Sequence, residues 1–448
     1  MGRGEAVSVD EALGILHSSY VPPEPGREEV SLREALGRIL AADIISGTHL
    51  PEFPRSSMDG YAVFSSDTFG ASEQIPAYLK LAGEVFMGEA DPGPISRGQV
   101  FAIPTGGMLP DGADAVVMLE HTQILPPPSP GATRHPLPLR GEGNILASSP
   151  SMGAGREEGD EVEITKPVAP GENVIQPGDD IRAGEAAFAK GHRLRPQDLG
   201  ALAGIGVTRV PVFKMPRVAI INTGNEIVPA DKSPRPGQVR DVNSYTLAAL
   251  VRKAGATPVL KGIFRDEFRP IREAVEDAIS ECELVAITGG SSVGTRDLTE
   301  KVINDIEPGI IVRGVSVKPG KPVIIGIVSG KPVFGLPGHP VAVAVCFYLF
   351  LRPLLREISG EIDQLAALGI PDVRAVEARM ARNYSSVPGR EDHLGVMLKL
   401  EDGELWAYPS LGKSGLIFTL VKAHGMAVIP AEKPGVAKGE KVMVRLFD

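Results

Sequence analysis

Residues 217–224 read RVAIINTG, an apolar strand that ends in a glycine, and residues 284–290 repeat the pattern as LVAITGG. Between and after them, amphipathic helices alternate with further apolar strands, up to a long helix that begins near Pro340. Strands that are apolar throughout and alternate with helices are typical of a parallel sheet covered by helices on both faces. The sequence therefore predicts a doubly wound α/β domain over residues 214–363.

The sequence before and after this domain has a different periodicity. Residues 9–16 and 32–40 carry the apolar spacing of two amphipathic helices, the second with Ser31 as N-cap and Glu34 completing a capping box. With the segment 171–213, they are expected to form an elongated N-terminal α+β domain, discontinuous in sequence and covering 1–47 and 171–213.

Short strands divided by glycine and proline occupy the two remaining regions. Residues 48–170 are predicted to form an all-β domain, and residues 364–448 a C-terminal domain resembling a β-barrel. The fold class is thus multidomain, α/β plus β.

One stretch inside the all-β domain lacks any apolar periodicity. Residues 125–160 are rich in proline, glycine and serine, and they separate two strands that would pair as a hairpin. A segment of this length and composition indicates a disordered insert.

The composition excludes several classes of protein. The net charge of the 448 residues is −10, which argues against nonspecific nucleic-acid binding. The N-terminus lacks a signal-peptide core, and the most apolar run is broken by Arg352 and Pro353, so no membrane span is expected. Cys282 and Cys346 stand alone in apolar runs and indicate buried thiols. We therefore expect a cytoplasmic protein.

Four strand ends in the α/β domain carry residues that suit an anion. Ligands of open α/β sheets bind beyond the carboxyl ends of the strands, where glycines allow close approach and helix N-termini offer free N–H groups. The segments concerned are Asn225 and Glu226; Gly289, Gly290, Ser292 and Gly294; Lys318, Pro319, Lys321 and Pro322; and Gly338 and His339. Together they indicate a site for phosphate or an oxometallate.

Three carboxylates near these strand ends are candidate ligands of Mg²⁺. Glu226, Asp241 and Asp297 offer hard oxygen atoms, which suit an ion that bridges phosphate to protein. The alternative for Asp297 is a helix N-cap, the commoner role of an aspartate before LTEKV, and single lysines are more often solvated than functional. The common location at strand ends of one sheet favours a site.

Motifs along the whole chain complete the pattern. They are SSMDGYAV (56–63), PTGGMLPDGADAVVMLE (104–120), GENVIQPGDDI (171–181), NTGNEI (222–227), RDVNS (240–244), TGGSSVGTRD (288–297), VKPGKP (317–322) and FGLPGHP (334–340). In these strings the chain resembles the molybdopterin molybdenumtransferases, the family that includes the C-terminal enzyme domain of gephyrin.

The resemblance implies a reaction and an assembly. Adenylylated molybdopterin would bind the α/β domain, molybdate would displace the adenylate, and AMP would leave with the help of Mg²⁺. The subunit would be half of a homodimer with a shared cleft, and its partners would be the molybdopterin intermediate and other proteins of the cofactor pathway.

The resemblance also assigns residues. Asp297, Glu226 and Asp241 would serve phosphate and Mg²⁺, and Lys318 and Lys321 would hold the anion. The cleft would be lined by Asp59, Thr105 and Asp180, with Asp59, Asp297 and the two lysines as the catalytic set.

Three departures from the family pattern leave alternatives open. His339 stands where the family usually has Asn, Ala342 where it has Ser, and Leu394 where it commonly has Arg, whereas Thr419 keeps a hydroxyl. Losing an arginine and a hydroxyl removes anion donors. A related protein that carries molybdopterin without inserting metal is therefore one alternative function. An insertase specific for tungstate is another, because molybdate and tungstate share charge and nearly the same size.

Overall fold

A computed structural model describes residues 6–89, 93–125, 160–289, 293–362, 374–410 and 412–447, without the side chains of 293–296. Its helices are α1 (Val9–Ser19), α2 (Pro196–Gly204), α3 (Asn243–Lys253), α4 (Phe268–Glu281), α5 (Val293–Asn304), α6 (Pro340–Cys346), α7 (Arg352–Ile358) and α8 (Phe418–Val421). Three short 3₁₀ helices cover Leu32–Glu34, Ser65–Thr68 and Leu119–His121, and a π-helical turn covers Phe347–Leu351. Within these ranges no helix is long and apolar enough to cross a membrane.

The strands are grouped by position in the chain. The first part contains β1 (Arg27–Ser31), β2 (Ile44–Ile45), β3 (Arg55–Ser56), β4 (Gly60–Val63), β5 (Ala77–Glu84), β6 (Gln99–Ile103), β7 (Ala115–Met118), β8 (Thr122–Leu125), β9 (Glu161–Ile164), β10 (Val174–Ile175), β11 (Ala186–Phe188) and β12 (Arg209–Phe213). The middle part contains β13 (Arg217–Thr223), β14 (Ile227–Val228), β15 (Val239–Arg240), β16 (Thr257–Phe264), β17 (Leu284–Gly289), β18 (Pro308–Arg313), β19 (Val317–Lys318), β20 (Ile324–Val328) and β21 (Lys331–Leu336). The last part contains β22 (Ala375–Met380), β23 (Tyr384–Ser385), β24 (Glu391–Glu401), β25 (Glu404–Pro409), β26 (Gly425–Ile429), β27 (Gly435–Val436) and β28 (Lys441–Leu446).

The chain divides into two compact units. Unit 1 contains residues 1–42, 189–200 and 208–448, and unit 2 contains residues 43–188 and 201–207. Unit 1 includes the α/β sheet and the C-terminal barrel, and unit 2 includes the all-β sheet.

The central sheet of unit 1 has the strand order β16-β13-β17-β21-β20-β18. One face packs against α1, α3 and the helices after β21, in a core that includes Leu16, Leu247 and Phe350. The other face packs against α4 and α5, around Val275 and Val302. Alternate residues of each central strand enter the two cores, so these strands read as apolar throughout. The predicted doubly wound domain is confirmed.

The sequence predicts a parallel sheet, but the sheet in the structure is mixed. Strand β20 runs antiparallel to β21 and to β18. The two residues between β20 and β21, Ser329 and Gly330, both have positive φ, at 49° and 77°. Such a turn matches the twist of antiparallel strands and forms a tight hairpin. The Ser-Gly pair between two apolar runs was the sequence signal for this reversal.

The C-terminal strands form a closed barrel. The order β24-β25-β22-β28-β26 returns to β24 through an additional pairing, and β19 joins the outside of β24. Met380, Val396 and Val444 are among the buried residues that fill the barrel. The predicted β-barrel-like domain is confirmed.

Unit 2 has a six-stranded sheet in the order β7-β4-β6-β5-β9-β8. Strands β8 and β9 pair antiparallel up to Leu125 opposite Glu161, as predicted for the strands on either side of the insert. Residues 126–159, which make up nearly all of that predicted insert, lie outside the described residues. The all-β character of this region is confirmed.

The first predicted helix is confirmed, but the second is wrong. Helix α1 begins after Ser8, whose Oγ accepts a hydrogen bond from the Glu11 N–H at 3.1 Å. Residues 32–40 form only the short 3₁₀ helix, because Gly37 adopts a φ of 73° and turns the chain away from a helical path. Ile39 and Leu40 then form bridges to Arg193 and Val212.

Both cysteines are buried thiols, as predicted. Burial raises the pKa of Cys346 to about 12 and also raises that of Cys282. Neither thiol is therefore a reactive nucleophile at neutral pH.

Candidate active site

The candidate site in unit 1 lies where the order of the central sheet reverses. Strand β13 is followed along the chain by β16 on one side and then by β17 on the other, so the crevice opens between the carboxyl ends of β13 and β17. Gly289, at the end of β17, has a φ of 143°, and a Cβ there would lie 2.0 Å from the carbonyl oxygen of Thr223. Only glycine lets the two strand ends approach this closely.

Two carboxylates follow the neighbouring strands β13 and β16 at this edge. Glu226 follows β13 and is exposed, and Asp266 follows β16 and is half-buried. Burial and the negative charge of Glu226 raise the pKa of Asp266, although the Asn225 N–H donates to its Oδ2 at 3.4 Å. The buried Oδ1 of Asp266 has no hydrogen-bond partner. Two adjacent anionic groups, one with a buried orphan oxygen, make a donor set that suits a hard cation.

The sequence predicts Asp241, and not Asp266, as a candidate ligand of Mg²⁺ at this edge. Asp241 is buried, with 8% of its surface exposed, and its Oδ1 accepts from Asn222 Nδ2 at 2.5 Å and from the Ser244 N–H at 3.0 Å. These bonds tie the end of β13 to the first turn of α3. Asp241 thus holds these two elements together, and its role towards phosphate or Mg²⁺ stays a prediction. Asp266 follows the end of strand β16 as Glu226 follows the end of β13, and this position in the sequence indicates a candidate ligand in the same way.

A second buried contact connects three other segments at the same edge. Asn243 Nδ2 donates to Thr288 Oγ1 and to the Gly338 carbonyl oxygen, both at 2.9 Å. The start of α3, the end of β17 and the loop before α6 are thereby held together. Buried polar networks of this kind fix one arrangement of the backbone.

The loop with both lysines starts and ends at this edge of the sheet. It connects the carboxyl end of β18 to the amino end of β20, but its own short strand, β19, pairs with β24 of the barrel. The expectation that the lysines directly follow a strand of the α/β sheet is therefore wrong. Lys321 and Pro322 are exposed, and Pro319 is half-buried.

Lys318 is held by side chains of the barrel. Its Nζ donates to Tyr384 Oη at 3.3 Å and lies 3.6 Å from Asp392 Oδ2. Asp392 is buried and also accepts from Arg390 Nε at 2.8 Å and from Tyr384 Oη at 3.0 Å. Lys318 still has 48% of its side chain exposed, so its ammonium is oriented and remains accessible.

The barrel also contacts the loop before α6. His339 Nδ1 and Ser414 Oγ lie 2.8 Å apart, and the Val341 N–H donates to the Ser414 carbonyl oxygen at 3.2 Å. Thr419 Oγ1 donates to the Leu416 carbonyl oxygen within the same barrel segment. His339 is exposed, which leaves its other ring nitrogen free to face solvent or ligand.

Asp297 lies in the second turn of α5 and is exposed. It lines a groove of about 550 Å³ with Phe268, Glu300 and Arg313 among the other residues. In the part of the chain that the structure describes, no three carboxylate, histidine or cysteine side chains group closely enough to hold a metal ion. Gly290 and Ser292 lie outside the described residues, and Gly294 is in the first turn of α5.

In unit 2 the structure brings two of the three predicted cleft residues together. Asp59 Oδ1 accepts from the Thr105 N–H at 2.7 Å and from Thr105 Oγ1 at 3.0 Å. Both residues are exposed. Asp180 is exposed on a separate turn, where its N–H donates to the Leu50 carbonyl oxygen.

Comparison with known proteins places the whole architecture in one family. Residues 7–206 match the MoeA N-terminal region (domain I and II), 219–357 a probable molybdopterin binding domain, and 377–447 the MoeA C-terminal region (domain IV).

Relatives match over almost the entire length. A putative molybdopterin biosynthesis protein of Methanocaldococcus jannaschii is 33% identical over 96% of this chain and 94% of its own. The molybdopterin molybdenumtransferase of Nostoc sp. is 31% identical over 93% of this chain and 88% of its own. The crystal structure of a molybdopterin biosynthesis MoeA protein from Pyrococcus horikoshii OT3 is 30% identical, covers 99% of this chain and 100% of its own, and superposes with a TM-score of 0.78. The chain belongs to the MoeA family.

Proposed function

We propose that this protein is an enzyme that transfers molybdenum from molybdate into adenylylated molybdopterin and releases AMP. The observation that carries the proposal is the Glu226–Asp266 pair beside the crevice between β13 and β17. The MoeA relationship supports the same conclusion, since its members include proteins named molybdopterin molybdenumtransferase.

The residues present fit Mg²⁺. Glu226 and Asp266 would hold it. A cation would offset the repulsion between the two carboxylates and would give a partner to the Oδ1 of Asp266, which accepts no hydrogen bond. The ion would supply positive charge to the phosphate oxygens from which AMP departs. Asp297, in the second turn of α5, does not group with these two carboxylates in the described structure, and we assign it a catalytic role towards the substrate outside the ligand set of the ion.

The chain's own groups bind and orient the two anions. Lys318 presents an accessible ammonium that Tyr384 and Asp392 hold in place, and Lys321 is exposed on the same loop. Positive charge fixed before the reaction stabilises negative charge without reorganisation. Gly289 has no side chain, so a phosphate would be able to come near the backbone at the end of β17.

We further propose a cytoplasmic homodimer of four-domain subunits in which the cleft is shared. Asp59, Thr105 and Asp180 belong to unit 2, whereas the carboxylates and lysines belong to unit 1. In the proposed assembly, unit 2 of one protomer faces the α/β domain of its partner. Other proteins of the cofactor pathway would deliver the intermediate and receive the product.

The alternative function is a carrier that holds molybdopterin without inserting metal. It was suggested by Ala342 and Leu394, where the family has anion donors. Ala342 is 3% exposed, and Leu394 is packed in the barrel core at 9%. Neither side chain lines an exposed surface in this chain, so these departures give the carrier little support.

The decisive experiment mixes the purified protein with adenylylated molybdopterin, Mg²⁺ and molybdate and follows AMP release. We expect turnover that Asp266→Asn and Glu226→Gln each reduce by about 100-fold or more, the range seen when one group that stabilises transition-state charge is lost. The matched control is Asp305→Asn, since Asp305 lines the groove with Asp297 but pairs with Arg272 at 2.5 Å. Tight binding of the intermediate with no AMP release would establish the carrier instead.

A further inference from the structure

Lys318 lies beside a buried carboxylate without bonding to it directly. Its Nζ is 3.6 Å from Asp392 Oδ2, whereas it donates to Tyr384 Oη at 3.3 Å. The backbone brings the two charges together, because Lys318 of β19 is the register partner of Asp392 of β24 in a parallel pair. An ammonium and a carboxylate in direct contact form a bond of about 2.7–2.9 Å. The longer separation here has a cause in the other partners of Asp392.

Two side chains occupy the carboxylate oxygens of Asp392. Oδ1 accepts from Arg390 Nε at 2.8 Å, and Oδ2 accepts from Tyr384 Oη at 3.0 Å. Arg390 Nη2 makes a longer contact of 3.4 Å with Oδ2. The Asp392 side chain is only 1% exposed, so water screens these interactions little. Both oxygens therefore have donors before Lys318 is considered.

The charges of this cluster leave one cation over. The guanidinium of Arg390 balances the carboxylate of Asp392, and the two form a neutral pair. Among the residues that the structure describes, Asp392 is the one carboxylate within 4.0 Å of the Lys318 ammonium. Glu391, the neighbour of Asp392 in the chain, is paired with His393 at 2.5 Å. Lys318 thus keeps a positive charge that no carboxylate of the cluster cancels.

From these contacts we infer that Arg390 and Tyr384 are positioning residues, which satisfy Asp392 and so leave the charge of Lys318 available to an oxyanion. The inference rests on the proposed function, in which Lys318 holds the anion. Arg390 acts by neutralising the carboxylate. Tyr384 acts by filling Oδ2 with its hydroxyl, and its ring centroid lies 5.6 Å from the Lys318 Nζ.

The loss of either residue would change the partner of Lys318. Asp392 would then be a buried carboxylate that lacks a donor, which is costly. The ammonium of Lys318 needs to move by only about 1 Å to bond with it. A lysine bonded to a carboxylate offers less charge to a substrate. Substitutions that leave Lys318 itself intact are therefore expected to weaken oxyanion binding.

Titration calorimetry of the full-length protein with molybdate alone tests the inference. We expect Tyr384→Phe and Arg390→Gln each to weaken binding about tenfold, the equivalent of roughly one charge-assisted hydrogen bond. Arg390→Lys keeps the positive charge and should recover most of the affinity. Lys441→Gln removes a cation from an exposed pair with Glu377 in the same barrel, and this matched control should change nothing.

Combined variants show whether the effect passes through Lys318. Adding Asp392→Asn to Tyr384→Phe or to Arg390→Gln should restore molybdate binding, since an amide has no charge with which to draw the ammonium away. In a Lys318→Gln protein, which should itself bind molybdate more weakly, Tyr384→Phe and Arg390→Gln should have no further effect. Substitutions that act through one shared side chain are not additive.

Three results would overturn the inference. They are no saturable binding of molybdate to the wild type, unchanged binding in Tyr384→Phe or in a folded Arg390→Gln, and a loss that Asp392→Asn does not reverse. The last result would make the substituted residue a direct ligand of the anion. Tyr384→Phe keeps the aromatic ring, so the test remains decisive if Arg390→Gln fails to fold by circular dichroism.

A separate assay of AMP release distinguishes this inference from the proposed function. If AMP release is absent while the variants show the expected pattern of molybdate binding, only the proposed function fails. If AMP is released and the variants bind molybdate as tightly as the wild type, only the positioning role of Arg390 and Tyr384 fails.

Discussion

Glu361 carries a charge whose contribution to stability follows from its pKa. Burial alone would raise the pKa of this carboxyl, but the hydrogen bonds from Arg193 and Arg356 outweigh burial and hold it at about 2, against 4.5 as the ordinary value. The side chain is only 7% exposed, so solvent screens these bonds little. A difference of about 2.5 pKa units at 1.36 kcal/mol each gives about 3 kcal/mol of folding free energy at neutral pH.

Glu361→Gln should therefore destabilise unit 1 by about 3 kcal/mol at pH 7. With an unfolding entropy near 2.1 cal/mol/K per residue over roughly 300 residues, the thermal midpoint should fall by about 5 °C. The matched control is Glu357→Gln, whose carboxylate is 41% exposed in a pair with His17 and should contribute less than about 1 kcal/mol.

The pH dependence gives a second check by calorimetry. Because the pKa is lowered on folding, the stabilisation is complete above the unfolded value of 4.5 and is lost as pH falls through the folded value of about 2. The difference between wild type and Glu361→Gln should shrink from about 3 kcal/mol at pH 7 to about 2 kcal/mol at pH 3.5. A loss no larger than that of Glu357→Gln, or a difference that grows in acid, would refute the reasoning.

Three further predictions concern the active site, the insert and the assembly. Burial and the negative charge of Glu226 raise the pKa of Asp266, so the charged carboxylate lowers the folding stability at pH values above that pKa. Asp266→Asn should therefore raise the thermal midpoint, while AMP release falls. A lower midpoint with normal turnover would contradict this. Replacing residues 126–159 with a short turn should change the midpoint by no more than a few degrees, because the strands pair up to the insert and loop length costs little free energy; a much larger loss in a melting curve would show that the insert is packed. Mixing Asp59→Ala with Asp297→Ala should restore part of the AMP release through hybrid dimers, and the shared cleft fails if subunits demonstrably exchange and no activity returns.

Long regular elements could be predicted from the sequence because their periodicity records burial. Strands such as β13 and β17 are buried on both faces and read as apolar runs, and α4 has one clear apolar face. The predictions that failed depended on single backbone conformations. Gly37 ends the path expected of a helix, and the Ser329–Gly330 turn reverses β20. Both signals are present in the sequence, but the apolar spacing around each of them favours a regular element.

The candidate site could be predicted only where chemistry and strand ends coincide. Glu226 and Gly289 can be predicted from their positions at the ends of buried strands, and Asp266 has the same kind of position after β16. The contacts of Lys318 with Tyr384 and Asp392 could not be predicted, since they join segments more than 60 positions apart in the chain. Such contacts are set by tertiary packing, which local patterns do not contain.

The pairing of Leu125 with Glu161 has a consequence for engineering and for sequence drift. Residues that face each other across two antiparallel strands have Cα atoms about 5 Å apart, so the chain leaves and re-enters the sheet at almost the same point. Any polypeptide whose own ends meet, such as a fluorescent reporter or an affinity module, could be grafted between these two residues without stretching either strand. The position between Leu125 and Glu161 is thus an insertion site, at which the protein can gain new sequence while the register of β8 and β9 stays fixed.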